Sequence, residues 1–143
     1  MAEFKILITD GLDESGQSVL RASATVDDRK DISADDLLKA IPEYDGLIVR
    51  GRTKVTASVI AASSSLKVIG RAGVGVDNVD VEAATRRGIV VANAPESTVT
   101  SAAEHTVGLL VALARNIPQA HAALKQGRWE RSAWGGVIPL MLK

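Results

Sequence analysis

The sequence predicts an α/β protein: a parallel sheet with helices on both faces, followed by a C-terminal helical extension. Three observations carry this prediction. Short apolar runs alternate with helix-like segments over residues 4–92, in the strand–helix–strand spacing of a wound parallel sheet. The runs are continuous rather than alternating, which suits strands covered on both faces. The chain has 143 residues, 46% hydrophobic and 24% charged, the size and balance of one globular domain.

The elements follow in order. Phe4–Thr9 (FKILIT) reads as a strand bounded by Asp10-Gly11, and Leu12 to Ala24 as a helix weakened by Gly16 and two serines. A short strand is placed at Ala24–Asp27. Ser33 with Asp36 three residues on resembles a capping box and opens a helix to Ile41, ended by Pro42. Gly46–Val49 is a buried strand that stops at Arg50. Thr56 is an N-cap for a short helix to Ala62. Lys67–Gly70 is the next strand, followed by Arg71. Val81–Arg87 is a helix with Arg86-Arg87 as a C-terminal charge pair and Gly88 just past it. Ile89–Ala92 is a strand ending at Asn93 and Pro95. Ala102–Ala114 (AAEHTVGLLVALA) is apolar almost all round, so it is expected to be buried, under the domain or against another subunit. Pro118 begins a last helix, to Gln126, with Gly127 as its stop. Beyond it stand Trp129 and Trp134, read as packing residues, and an apolar tail.

Composition excludes several functions. Lys plus Arg and Asp plus Glu are 17 each, and aromatics are 3%, so nucleic-acid binding is not expected. With no cysteine, disulfides, thiolate metal sites and a cysteine nucleophile are impossible, and no metal site is expected. No secretory signal is visible, and the longest apolar run, Val107–Ala114, is under half a membrane span. A cytoplasmic protein with no membrane contact is the expectation.

In open parallel sheets, ligands sit outside the carboxyl ends of the strands. There the chain places Asp10-Gly11, Arg50-Gly51, Arg71 to Asp77 and Asn93 to Thr98. Arg50 and Arg71 offer forked donors to a carboxylate or phosphate, with Arg52 and Lys54 adding charge close by. Between strand and helix lies Gly70-Arg71-Ala72-Gly73-Val74-Gly75-Val76-Asp77-Asn78. Gly73 and Gly75 fit either a turn needing positive φ or an amide nest for an anion, and the two arginines favour the nest. The loop is not the dinucleotide fingerprint, because G-x-G-x-x-G would need glycine where Asn78 stands. Glu104 and His105 are adjacent and cannot pair on one helix face, so His105 is read as structural and His121 as a surface residue. Ser63–Ser65 is read as a turn.

These segments resemble the amino-terminal part of the D-2-hydroxyacid dehydrogenase family, in its phosphoglycerate branch. The resemblance rests on Leu47-Ile48-Val49-Arg50, Val68–Asp80 (VIGRAGVGVDNVD), Val81–Gly88 (VEAATRRG), Asn93-Ala94-Pro95 and Ser101–His105 (SAAEH). Ala114-Arg115-Asn116-Ile117-Pro118 and Gly127-Arg128-Trp129-Glu130-Arg131 extend it. It implies a flavodoxin-like outer domain over residues 1–97, crossover and dimerisation helices over 98–131, and an irregular tail over 132–143. It implies that Arg50, Gly51, Arg71, Gly73, Val74 and Gly75 bind a small anionic substrate, phosphoglycerate or another 2-hydroxy acid. Val74 and Thr98 would lie near NAD, and a homodimer would form through the helix at 101–115. The family commonly has Ser where this chain has Gly51, and often Asn where it has Thr98.

In the family, the stretch after Arg131 leads to a strand and then G-x-G-x-x-G; here Val137–Lys143 stands instead. The family's catalytic Arg, Glu and His lie beyond that point. No catalytic residue is therefore assigned, NAD is not expected to bind this chain tightly, and the chain alone is expected to be an inactive, truncated relative of an NAD-dependent oxidoreductase of serine biosynthesis. The alternative is a stand-alone module that binds an anionic metabolite or dimerises. Steady NAD reduction by the chain would contradict the expected inactivity, and calorimetry with phosphoglycerate on Arg50→Ala and the parent tests the alternative.

Overall fold

A computed structural model describes residues 4–129 together with 132 and 133. The chain divides into two compact units, residues 1–97 and 98–143.

The first unit is a five-stranded parallel sheet. In chain order it contains β1 (Lys5–Ile8), α1 (Glu14–Arg21), β2 (Thr25–Asp28), α2 (Ala34–Ala40), β3 (Gly46–Val49), α3 (Ala57–Ala62), β4 (Val68–Arg71), α4 (Val81–Arg86) and β5 (Val90–Asn93). The strands lie in the order β2-β1-β3-β4-β5. The chain steps one way from β1 to β2 and the other way thereafter. Right-handed crossovers then put α1 on one face and α2, α3 and α4 on the other.

Register sorts the strand residues between those faces. Leu7, Leu47, Ile69 and Val91 form one row across the sheet. The first three are fully buried and pack with Leu37, Val59, Ile60 and Ala84 from α2, α3 and α4. Ile6, Gly46, Val68 and Val90 form the opposite row, on the side where the first unit places α1. Ile6 is half-buried and Gly46 buried, and exposure then rises to 38% at Val68 and 61% at Val90. The two-sided cover that the apolar runs suggest therefore thins from β3 toward β5.

Local capping starts the helices where the sequence places them. Ser33 Oγ accepts from Asp36 N–H at 3.1 Å, and Thr56 Oγ1 from Val59 N–H at 3.5 Å. Asp80, not singled out in the sequence, accepts from Ala83 N–H at 2.9 Å and caps α4. Pro42 sits inside a single 3-10 turn, Ile41–Glu43, that ends α2. Gly88, at φ +68°, takes the left-handed turn after α4.

Arg87 departs from its sequence reading. Rather than a helix-end charge, its guanidinium donates to Ile60 O and Ala61 O at 2.6 and 2.9 Å, and to Ser63 O at 3.0 Å. It thus satisfies the last carbonyls of α3 from the neighbouring helix.

The second unit contains α5 (Val99–Ala114) and α6 (Ile117–Lys125). Asn116 stands between them in the left-handed region, at φ +53°. Of the sixteen residues of α5, Ala114 is the one that is buried. Leu109, Leu110 and Leu113 are 57%, 52% and 73% exposed, so the described residues do not supply the burial the sequence calls for. Trp129 is 77% exposed, which overturns its reading as a packing residue. Trp134 and the tail from residue 134 on lie outside the described residues. Among the described residues, no helix is long and apolar enough to cross a membrane.

Candidate functional site

The site is built at the carboxyl edge of β1, β3, β4 and β5. Val49 is in register with Arg71, and Arg71 with Asn93, so Arg50 leaves the sheet one residue beyond that shared row. Three loops meet there: Asp10-Gly11 after β1, residues 50–54 after β3, and residues 72–78 after β4.

Asp10 organises the first contact. Its side chain is 4% exposed. Oδ2 accepts from the N–H groups of Arg50 (2.8 Å), Thr53 (3.1 Å) and Arg52 (3.2 Å), and Oδ1 accepts from Thr53 Oγ1 at 2.6 Å. Burial by itself would raise this carboxyl. The bonds from the Thr53 hydroxyl and from the amides of Thr53, Arg50 and Arg52 outweigh it and hold Asp10 below the ordinary 3.8. A depressed carboxyl stabilises the fold above its unfolded value, and the contribution vanishes as pH falls through its folded value. The amides of Arg50, Arg52 and Thr53 are thus expected to keep their exchange protection down to about pH 4 and to lose it at lower pH. In Asp10→Asn the acid step should disappear. Protection that fades at neutral pH in the parent would contradict this.

Arg50 is exposed, and its guanidinium has no hydrogen-bond or ion-pair partner among the described residues. Arg71 is half-buried. Its Nε is buried without a partner, and its Nη1 lies 1.6 Å from where a Cβ on Gly73 would stand. Its Nη2 comes within 3.8 Å of the Cβ position of Gly51. The Arg71 side chain thus lies flat on Gly73 and reaches back to the residue after Arg50. The N–H groups of Val74 and Gly75 have no protein acceptor among the described residues, and both residues are exposed. The loop carrying them is pinned from β5: Asn93 Nδ2 donates to Val74 O at 2.6 Å and Ala94 N–H to Gly73 O at 3.0 Å. Asp77 is the acidic group of this loop, with Oδ1 2.8 Å from the Cβ position of Gly75.

Arg52 is not the free charge the sequence suggests. It pairs with Asp31 through Nη1 and lies 3.6 Å from Asp10 through Nε. Lys54 keeps its charge unpaired among the described residues. Thr98 stands in the second unit, just before α5, where its side chain makes no capping bond. His105 and His121 are both exposed on that unit. Asn93 and Asp10 were not assigned roles in the sequence. Their place at strand ends was the available signal.

The arrangement presents two guanidinium groups and two free amides, with no carboxylate spent on either arginine. Groups of that kind can pair with a small anion that carries more than one charged group.

The chain is 48% identical over 132 residues to D-3-phosphoglycerate dehydrogenase of Synechocystis, covering 92% of this chain and 24% of that protein. It therefore spans about a quarter of the length of the curated relatives it matches. A crystal structure of a Pyrococcus horikoshii protein superposes with a TM-score of 0.79 at 34% identity, over 92% of this chain and 39% of that one. The NAD+-bound 3-phosphoglycerate dehydrogenase of Entamoeba histolytica superposes with a TM-score of 0.64 at 28% identity, over 80% of this chain and 40% of that one. Residues 6–133 match the family described as D-isomer specific 2-hydroxyacid dehydrogenase, catalytic domain, and the chain belongs to that family.

Proposed function

We propose that this chain is the substrate-binding part of a D-3-phosphoglycerate dehydrogenase. The full reaction would be NAD-dependent oxidation of 3-phosphoglycerate to 3-phosphohydroxypyruvate, in serine biosynthesis. The observation that carries the reading is the pair of unspent guanidinium groups, Arg50 and Arg71, beside the free amides of Val74 and Gly75. Arg50, Gly51, Arg71, Gly73, Val74 and Gly75 would hold the substrate's carboxylate and phosphate. Identity near one half to a D-3-phosphoglycerate dehydrogenase supports that choice of acid.

The described residues do not fit a complete NAD site. At the position of the third glycine of a dinucleotide loop, the Asn78 side chain is taken up by hydrogen bonds to Arg50 O and Thr53 O. In the first unit Val74 would meet only the nicotinamide end, and the chemistry NAD supplies when bound is hydride acceptance. What these residues do is bind and orient the acid.

Calorimetry with D-3-phosphoglycerate tests the reading. Arg50→Ala and Arg71→Ala are each expected to weaken binding about tenfold, the loss of one charge-assisted pair. Steady NAD reduction by the 143-residue chain is not expected. Wild-type affinity in both variants would remove the anion site.

A second copy is the proposed partner for α5. Its exposed leucines repeat on a helix that is apolar almost all round, a surface soluble monomers rarely present. Light scattering is expected to give a dimer, and Leu109→Glu to give a monomer. A monomeric parent chain would contradict this.

A further inference from the structure

Asn78 lies three residues past Gly75, on the loop after β4, yet its side chain serves the loop after β3. Nδ2 donates to Arg50 O at 2.9 Å and to Thr53 O at 2.7 Å. Its backbone does the same work: Val55 N–H donates to Asn78 O at 2.8 Å, and Asp80 N–H to Val55 O at 2.9 Å, around a bridge between Val55 and Val79. Asp10 takes the amides of residues 50, 52 and 53. Asn78 takes the carbonyls of 50 and 53. Three amides of the Arg50 loop are therefore taken by the Asp10 carboxylate, and two of its carbonyls by the Asn78 side-chain amide. A segment outside helix or strand needs such partners to hold one shape.

The chemistry at this position is restrictive. Asn78 Oδ1 is buried with no partner, so the hydrogen bonds of this side chain are those its Nδ2 donates. A carboxylate there would face two carbonyl oxygens. A glycine would leave both carbonyls without their donor.

We propose that Asn78 is a positioning residue of the anion site: it locks the loop that carries Arg50 to the loop that carries Val74 and Gly75, so that guanidinium and amides stay in register around one ligand. This inference rests on the anion-site reading above. Asn78 does not touch the ligand. It acts by removing the freedom of the two loops to separate, a cost otherwise met at binding.

The test is a double-mutant cycle on the 143-residue chain, with D-3-phosphoglycerate titrated by calorimetry. Asn78→Ala is expected to weaken binding about tenfold in the parent and less than about twofold in an Arg50→Ala background. Equal weakening in both backgrounds would show that Asn78 acts apart from Arg50 and would overturn the proposal. Amide resonances of the ligand-free chain give a readout independent of binding. Asn78→Ala should move those of residues 50–53 together with 74 and 75, while those of β2 stay in place. Unmoved resonances at 50–53 would also overturn the lock. Asn78→Ser is the milder second variant if Asn78→Ala does not fold, and Asn78→Asp should be worse than either. Failure of the unmutated chain to bind phosphoglycerate would sink the anion-site reading instead, and the resonances would still judge the lock between the loops.

Discussion

Replacing Leu47 by alanine is expected to cost about 3 kcal/mol of stability, the middle of the range for emptying a fully buried leucine site. Leu47 lies on the central strand, in register with Leu7 on one side and Ile69 on the other, and all three are fully buried. The rigid neighbours limit how far the cavity can collapse. For a unit of this size the loss corresponds to a fall in melting temperature of roughly 15 °C. Val19, 73% exposed on α1, is the control: Val19→Ala should stay within about 0.5 kcal/mol. Denaturant titration checks both, with the slope unchanged. A loss below about 1 kcal/mol at Leu47 would mean that the centre of the sheet repacks freely, contrary to the described core.

Gly73→Ala is expected to have the largest effect on ligand binding. The new methyl would stand 1.6 Å from Arg71 Nη1 and 2.6 Å from Cζ, on a residue whose φ is +158°. The whole guanidinium plane lies in the way, so Arg71 must leave its place. An affinity loss on the order of tenfold or more is expected, at least about 1.4 kcal/mol. The fold should survive, because the displaced group is a side chain at the edge of the sheet. Gly75→Ala meets only the far end of Asp77, which can swing away, and should cost less. Gly51 gives the opposite control. Its Cβ position meets nothing closer than Arg71 Nη2 at 3.8 Å, an ordinary contact. The serine common in the family therefore fits here, and Gly51→Ser should bind at least as well as the parent. Unchanged affinity in Gly73→Ala, measured by the same calorimetry, would show that Arg71 does not hold the ligand from its described position.

The features legible in the sequence are those whose causes are local. Ser33 and Thr56 cap the helices that they precede because an N-cap needs only its own turn. Each strand is found within a residue or two, since a buried parallel strand shows as an apolar run. The strand ends are legible too: once the sheet is parallel, Asp10, Arg50, Arg71 and Asn93 must all fall on one edge. The illegible features depend on which loops meet. Arg52 reads as a free cation in the sequence and is neutralised by Asp31, 21 residues away. Arg87 reads as a helix-end charge and bonds carbonyls 24 to 27 residues back. Asn78 reads only as a missing glycine, because its bonding partners are fixed by the pairing of β3 with β4. Coverage of the sheet is the remaining gap. An apolar run signals that a strand can be buried on both faces, and the exposure of Val90 shows that this chain does not bury it.

The Arg87 bridge has a consequence for how the first unit comes apart. α3 and α4 have six residues each, far too short to persist singly in water. One guanidinium stitches the end of the first to the end of the second. Release of α4 removes the donor from Ala61 O of α3 and from Ser63 O just past it, and leaves Ile60 O with Ser63 Oγ alone, so fraying of either helix is expected to propagate to the other, and the pair to melt as one cooperative patch rather than as two independent turns.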